Sequence, residues 1–405
     1  MTRIANNLLI RDLQISMYSR IGITFMKIGI DIRTLMDAQY SGVSEYTLNL
    51  IQNILKLDQK NDYRLFYNSA HDISNRIPRF DYPNVKIIKF NYPNKILNYI
   101  GFKMLGMPRI DKLLDVDVFF MPHINFMAFS GKAKSILTVH DLSFLRYGEF
   151  FSLRKNFWHR MLNVKKMIKQ ADKIVAISES TKNDIVELYG ADPAKIKVIH
   201  SGIGEEFKVI DRQDARMQEI KKKYGLPDKF ILFLGTIEPR KNLEGLIIAF
   251  DRLRTKNAGL GDHKLVVAGG RGWKSGNIFK AWQKSPFRND IKFLGYVDRE
   301  DKPYLYNLSS LFVYPSFYEG FGFPPLEAFA SGVPVITSFS SSLPEIVGGA
   351  GLMVDPYDAS GLSLAMEDVL QNDELRESMI KMGLEKAKKF SWEKAAEDYL
   401  EILSE

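Results

Sequence analysis

The sequence contains no cysteine, which excludes disulfide scaffolds, thiolate-held zinc, iron–sulfur clusters and a thiol nucleophile, and suits a reducing cytoplasm. No uncharged stretch approaches the roughly 20 apolar residues that span a bilayer. The nearest apolar run, residues 118–129, is broken by Pro122 and His123 and reads as a buried strand with its exit loop. Residues 1–25 lack the compact apolar core and small-residue cleavage site of a secretion signal and read as an extension outside the fold. Short-period repeats and low-complexity tracts are also missing.

The 405 residues are 45% hydrophobic, 12% aromatic and 26% charged, which excludes a disordered or collagen-like chain. At roughly 100–200 residues per domain, this length predicts two domains. Lys plus Arg outnumber Asp plus Glu by 56 to 48, a net charge of +8. That surplus favours an acidic partner: nucleic acid, a phosphorylated substrate or an anionic membrane. No helix-turn-helix, RNA-binding motif or stacking platform supports the first of these.

From Met26 onward short apolar runs alternate with amphipathic segments. Strands are expected at 27–32, 63–67, 85–90, 116–121, 135–139, 173–177 and 196–199, with helices at 43–57 and 180–189. After a polar passage at 205–223 the alternation restarts. Strands follow at 230–234, 264–268, 291–293, 311–314 and 335–337, with a helix at 243–256 and a helical end at 374–405. The pattern predicts an α/β protein of two Rossmann-like, doubly wound domains facing across a cleft. The bounds expected are 26–205 for the first domain and 206–385 for the second, with the last helix, 386–405, packing back on the first. Ligands of such sheets sit beyond the carboxyl ends of the strands, so functional residues belong in the loops that follow strands.

The densest such loop is Tyr314-Pro315-Ser316-Phe317-Tyr318-Glu319-Gly320-Phe321-Gly322-Phe323-Pro324-Pro325-Leu326-Glu327-Ala328. Gly320 and Gly322 let the backbone approach a ligand, and a proline-led helix start offers free N–H groups to oxygen ligands. Glu319 and Glu327 together suit the vicinal hydroxyls of a sugar; alternatively, Glu327 complements the helix dipole and Glu319 is a turn residue. The second loop is Gly235-Thr236-Ile237-Glu238-Pro239-Arg240-Lys241-Asn242. After the flexible Gly235, Arg240 can hold a pyrophosphate bidentately and Lys241 as a point charge, unless both are simply solvated.

In the first half, Ser41-Gly42-Val43-Ser44-Glu45-Tyr46 occupies the phosphate-facing turn without being a GxGxxG. His140 ends a strand, where it can contact a substrate hydroxyl, transfer a proton or be structural. Asp115-Val116-Asp117 has the DxD spacing of metal-diphosphate sites but lies at the start of a strand, the wrong end for a site. Residues 154–169 interleave Phe157, Trp158, Met161, Leu162 and Ile168 with six basic side chains, and 97–114 form a second basic, aromatic stretch. These read either as a surface for anionic lipid or as buried helices with basic outer faces.

Taken together, EGFGFPPLEAFASGVPVITS with its Glu319-x7-Glu327 spacing, GTIEPRKN, VHDLSFL, VAISESTKNDI and VIHSGIGEEF closely resemble the retaining glycosyltransferases of family 4, from Met26 to the C-terminus. The resemblance implies the GT-B architecture, with the nucleotide sugar held mainly by the second domain and the acceptor by the first. It implies that Glu327 binds the nucleotide ribose, Glu319 the donor-sugar hydroxyls, and Arg240 and Lys241 the diphosphate. Gly42 admits the diphosphate from the facing domain, Gly235 and Gly320 belong to the donor-binding residues, and the backbone of Phe321-Gly322-Phe323 lines the sugar pocket. His140 sits beside the transferred sugar and, with Glu319, is a candidate catalytic residue. Many relatives carry Arg straight after the strand-end glycine, where this chain has Thr236, so a third cationic contact is missing there.

The resemblance further implies no metal cofactor and retention by same-face attack. The expected function is transfer of a hexose, mannose from GDP-mannose, to a lipid-linked glycan acceptor in surface polysaccharide (O-antigen) biosynthesis. Its place is the cytoplasm, peripheral on the inner face of the membrane. The alternatives are a transferase using UDP-glucose, UDP-GlcNAc or dTDP-rhamnose, a nucleotide-sugar epimerase, or a nucleic-acid-binding protein.

Overall fold

The computed structural model describes residues 25–260 and 262–405. The expectation for the N-terminal extension lies, apart from Phe25, outside the described residues. The first half contributes β1 (Lys27–Asp31), β2 (Asp62–Asn68), β3 (Val85–Phe90), β4 (Val118–Met121), β5 (Lys134–Val139), β6 (Lys173–Ala176) and β7 (Ile196–Val198). The second contributes β8 (Lys229–Leu234), β9 (His263–Ala268), β10 (Ile291–Gly295), β11 (Leu311–Tyr314), β12 (Val335–Ser338) and β13 (Leu352–Val354).

They form two sheets, ordered β3-β2-β1-β4-β5-β6-β7 and β10-β9-β8-β11-β12-β13, with neighbouring strands parallel. Both orders reverse direction at their first strand, β1 or β8, which is the doubly wound pattern with its switch point at the sheet centre. Parallel strands covered on both faces need apolar side chains on both faces. Accordingly β4 (VFFM) and β11 (LFVY) are buried throughout, whereas the edge strand β3 (VKIIKF) is half exposed.

The sequence patterns locate twelve of these strands to within a few residues; β13 was not expected, and the polar passage at 205–223 holds a helix, Ala215–Tyr224. That helix buries only Met217 and Ile220 among its basic residues, too sparse an apolar stripe to register as amphipathic. The C-terminal stretch is two helices, Asp373–Ala387 and Trp392–Ser404. The last one lies against the helix Gly42–Leu57 of the first sheet, with Tyr399 hydrogen-bonded to Tyr46 and Thr138. The two segments that cross between the sheets touch, Ile203 bridging to Ser391.

Residues 154–169 are also two helices, Leu153–Leu162 and Val164–Gln170, broken at Asn163 in the left-handed conformation (φ +53°). Leu162 and Ile168 are buried and Trp158 packs edge-on against Phe126, while Phe157 stays exposed. Asp115 and Asp117 stand at the amino end of β4, where Asp115 pairs with Lys27 and Asp117 accepts the Lys27 backbone N–H at 2.8 Å.

Candidate active site

Between the carboxyl ends of the two sheets lies a cleft of ≈ 510 Å³. Its walls are the loops after β1, β5, β8, β9, β10 and β11, together with the helix starts that follow them. Gly42, His140, Gly235, Arg240, Lys241, Glu319, Gly320, Phe321, Gly322, Phe323 and Glu327 all line it. The structure thus brings every residue expected to be catalytic or donor-binding into one place, while Asp115 and Asp117 lie elsewhere.

The backbone of the loop after β11 is pinned by two serine hydroxyls of the loop after β12. Ser342 Oγ donates to the carbonyls of Glu319 (3.0 Å) and Phe321 (2.7 Å), and the Glu319 N–H donates to Ser341 Oγ (2.7 Å). Gly322, at φ +118°, turns the chain into the helix Phe323–Ala330, a conformation that a side chain would strain. At Gly320 the facing domain is so close that a Cβ would lie 2.0 Å from the His140 carbonyl. Ser178, the N-cap of the helix Glu179–Tyr189, donates to the Gly320 carbonyl at 2.7 Å. The two domains therefore touch at Gly320.

Glu319 is buried and held from two sides. Arg240 Nη1 donates to its Oε2 at 3.0 Å and Lys241 Nζ to its Oε1 at 2.6 Å, while Lys241 also donates to Tyr314 Oη. Arg240 continues to Glu238 Oε1 (3.0 Å) and to the Tyr318 carbonyl (2.7 Å). Asn242, next in the chain, is left-handed (φ +55°), caps the helix Leu243–Lys256 and donates to the carbonyls of Pro315 (3.1 Å) and Pro356 (2.6 Å). It thereby locks the Arg240 loop to the β11 loop. Burial pushes the Glu319 carboxyl up, but the Arg240 and Lys241 charges outweigh it and hold the group at about 2. For Lys241, burial and then the Arg240 charge pull the ammonium below its usual value.

Glu327, one helical segment away, has a different environment. Its Oε2 accepts from Tyr306 Oη at 2.7 Å, and burial raises its carboxyl to about 7 against the opposing pull of the Lys302 charge. Lys302 Nζ itself donates to Glu45 Oε1 at 2.9 Å, across the cleft. Lys302 and Tyr306 lie one turn apart on the helix Lys302–Leu308, so one short helix brings both groups to the carboxylate.

Burial depresses the His140 imidazole to about 4, so the ring is neutral at neutral pH. Its Nε2 lies 2.7 Å from the Pro122 carbonyl, which can only accept, so Nε2 carries the hydrogen and Nδ1 the lone pair. Tyr46 holds the ring edge-on, with centroids 4.6 Å apart. The arrangement supplies an oriented hydrogen-bond acceptor rather than a group titrating near neutrality.

Sequence reasoning did not assign Glu45, Lys155, Glu238, Trp273 or Lys302, all of which line the cleft. Glu45 and Glu238 stand inside motifs already quoted, and their adjacency to Gly42 and Arg240 is a usable signal. Lys302, which opens a short helix, and Lys155, within a basic stretch that reads as surface, carry none.

Two doubly wound sheets that face across a cleft of buried carboxylates, paired cations and close-packed glycines have the GT-B architecture. Comparison with known proteins agrees in both halves: the model Glycosyltransferase Family 4 matches residues 40–207 and Glycosyl transferases group 1 matches 216–386. The O-antigen chain mannosyltransferase B of Escherichia coli is 30% identical over 365 residues, 87% of this chain and 93% of that protein. The serotype-specific mannosyltransferase WbdA of Escherichia coli is 35% identical over 263 residues, 65% of this chain and 32% of that protein. Among solved structures, sucrose-phosphate synthase from Thermosynechococcus elongatus superposes with a TM-score of 0.72 at 19% identity, covering 93% of this chain and 98% of that one. The lipopolysaccharide glycosyltransferase WaaG superposes with a TM-score of 0.69 at 14% identity, covering 93% and 99%. These two share the fold. The chain belongs to glycosyltransferase family 4 and is a glycosyltransferase.

Proposed function

We propose that this enzyme transfers mannose from GDP-mannose to a lipid-linked glycan acceptor, with retention of configuration at the anomeric carbon. The observation that carries the donor sugar is the likeness to the O-antigen chain mannosyltransferase B over nearly the whole length of both chains. In this reading Glu327 accepts the ribose hydroxyls, Glu319 the sugar hydroxyls, and Arg240 and Lys241 meet the diphosphate. The glycines at 42, 235, 320 and 322 allow close backbone approach, and His140 accepts from a sugar hydroxyl at Nδ1. With its carboxyl near 2 and both oxygens in ion pairs, Glu319 is a poor proton acceptor and a poor nucleophile. Same-face attack fits this better: the acceptor oxygen bonds to the anomeric carbon as the carbon–phosphate oxygen bond breaks, and the acceptor proton passes to the departing phosphate oxygen.

An acceptor on a lipid calls for a membrane-facing surface, and among the described residues no helix is long and apolar enough to cross a membrane. The segment 96–113 supports a peripheral contact instead. Ile96, Ile100, Met104, Leu105, Met107 and Leu113 are exposed there beside Lys95, Lys103, Arg109 and Lys112, a basic, apolar surface suited to anionic lipid.

The test is a panel of GDP-, UDP- and dTDP-sugars incubated with the purified protein and a lipid-linked acceptor mixture. Product is expected with GDP-mannose; turnover with UDP-sugars alone overturns the donor, and interconversion of donor without acceptor points to an epimerase.

A further inference from the structure

Among the described residues four cations line the cleft, and three of them are already engaged. Arg240 has Glu238 and Glu319 in ion-pair contact, Lys241 has Glu319, and Lys302 has Glu45. Around Arg240 and Lys241 two cations face two carboxylates, so this part of the site is neutral as it stands. Thr236, beside them on the cleft wall, adds no charge. A diphosphate that departs with the bonding electron pair gains negative charge, and stabilising it takes a positive group whose charge is not already cancelled.

Lys155 has that property. It projects from the helix Leu153–Leu162 of the first domain and lines the cleft opposite the Arg240 loop. Among the described residues no carboxylate is in ion-pair contact with it. Its ammonium lies 3.2 Å from the ring centroid of Trp273, in the loop after β9 of the second domain. The seat is built from both domains: Trp273 Nε1 donates to the Phe150 carbonyl at 2.8 Å, Phe151 stacks on the indole at 5.6 Å, and Lys274 Nζ donates to the Glu149 carbonyl at 2.6 Å. A cation over an indole face is held in place without being neutralised. Glu238 and Arg240 act on Lys155 electrostatically from farther off, which puts it in the same field as the diphosphate cations.

We propose that Lys155 is a catalytic residue, a cation delivered by the first domain across the cleft to hydrogen-bond the nucleoside diphosphate as it leaves. The anomeric carbon–oxygen bond breaks, its electron pair goes to the phosphate oxygen, and a Lys155 N–H donates to that oxygen without giving up its proton. Because the Trp273 seat exists only when the two domains meet, this charge is in place only in the closed cleft. The inference rests on the functional reading above.

The test compares K155M, whose stem still packs on Trp273, with K155R and the wild type. Transfer kinetics and calorimetric binding of GDP and UDP are measured on the full chain, with melting temperatures as a control on folding. K155M is expected to lower kcat by about 100-fold, to weaken nucleoside diphosphate binding and to leave the acceptor KM within about twofold; K155R is expected to recover most of the rate. A K155M enzyme with unchanged kcat and unchanged diphosphate affinity overturns the proposal, as does a K155R enzyme no better than K155M. If the wild type binds a diphosphate but turns over no donor, the functional reading fails while the affinity difference still decides the role of Lys155. If it binds none, both fall.

Discussion

Glu319 and Glu327 belong to one motif and line one cleft, yet their surroundings drive their carboxyls in opposite directions. Both are buried, so desolvation acts on each alike and the neighbours decide. Glu319 has two cations in direct contact and sits at about 2; Glu327 has a tyrosine hydroxyl, a lysine shared with Glu45 and the repulsion of that second carboxylate, and sits at about 7. The first is a permanent anion that holds its loop together. The second is an adjustable one, poised where a small change in charge alters its state. A motif read as two equivalent carboxylates is therefore two different devices.

The largest effect is expected on breaking the first of them. Glu319→Gln leaves Arg240 and Lys241 buried with one anion between them, and breaking a buried pair costs about 3–5 kcal/mol. The melting temperature should fall by several degrees and transfer should be lost. The native carboxyl is held below its ordinary value, so its stabilisation is present above pH ~4.5 and is lost as the pH falls toward 2. Wild type and variant should therefore converge in stability in acid. If their melting curves coincide at pH 7, the ion-pair account of this loop is wrong.

Glu327→Gln tests the other half of the contrast. The amide keeps a hydrogen-bonding group near Tyr306 but removes the charge, and a hydrogen bond to a charged group is worth about 1.5–3 kcal/mol, so nucleoside diphosphate affinity should fall by about 10- to 100-fold. Stability should move the opposite way from Glu319→Gln. A carboxyl raised to about 7 in the fold and near 4.5 unfolded loses stability as the pH rises between those values, because ionising it in place costs free energy. At pH 8 the glutamine variant should then be more stable than the wild type, by up to about 3 kcal/mol, and melt higher. A variant that binds less and also melts lower would show that Glu327 is structural.

How far this contrast was legible in the sequence follows from what each part depends on. Parallel strands buried on both faces write themselves as apolar runs such as FILFL before Gly235, and loops at their carboxyl ends carry glycine, proline and charge, so the strands and the cleft residues stand out. The three-residue edge strand Leu352–Val354 has too few residues for a pattern, and the helix Ala215–Tyr224 too few apolar ones. Within the site, Glu319 and Glu327 are visible as residues but their charge states are not. Lys302 meets Glu45 across 257 residues of chain, and Lys155 meets Trp273 through the packing of two domains, so no local spacing encodes either contact. The pairing of Arg240 and Lys241 with a carboxylate of the same site was equally hidden, and it changes their reading from free diphosphate cations to cations already shared.

The smallest expected effect is also the most discriminating. Among the described residues the groups that act most strongly on Glu327 are Lys302 and Tyr306 from the helix Lys302–Leu308, Glu45 from the helix Gly42–Leu57, and Glu206, itself paired with Arg299. If the ionised carboxylate binds ribose, diphosphate affinity in the wild type should rise with pH through about 7. Removing the cation with Lys302→Met should move that midpoint upward, and removing the neighbouring anion with Glu45→Gln should move it downward, each by less than about one pH unit or about 1.4 kcal/mol. The terminal phosphate of the ligand titrates near pH 6 as well, but it does so identically in all three proteins, so the differences between them belong to the site. His140, held near 4, does not titrate in this window. Calorimetric titration with GDP from pH 6 to 8 reads the three midpoints directly. Midpoints shifted in opposite directions identify Lys302 and Glu45 as a cross-domain control on the ribose carboxylate, whereas three coincident curves assign the Lys302–Glu45 pair to domain packing alone.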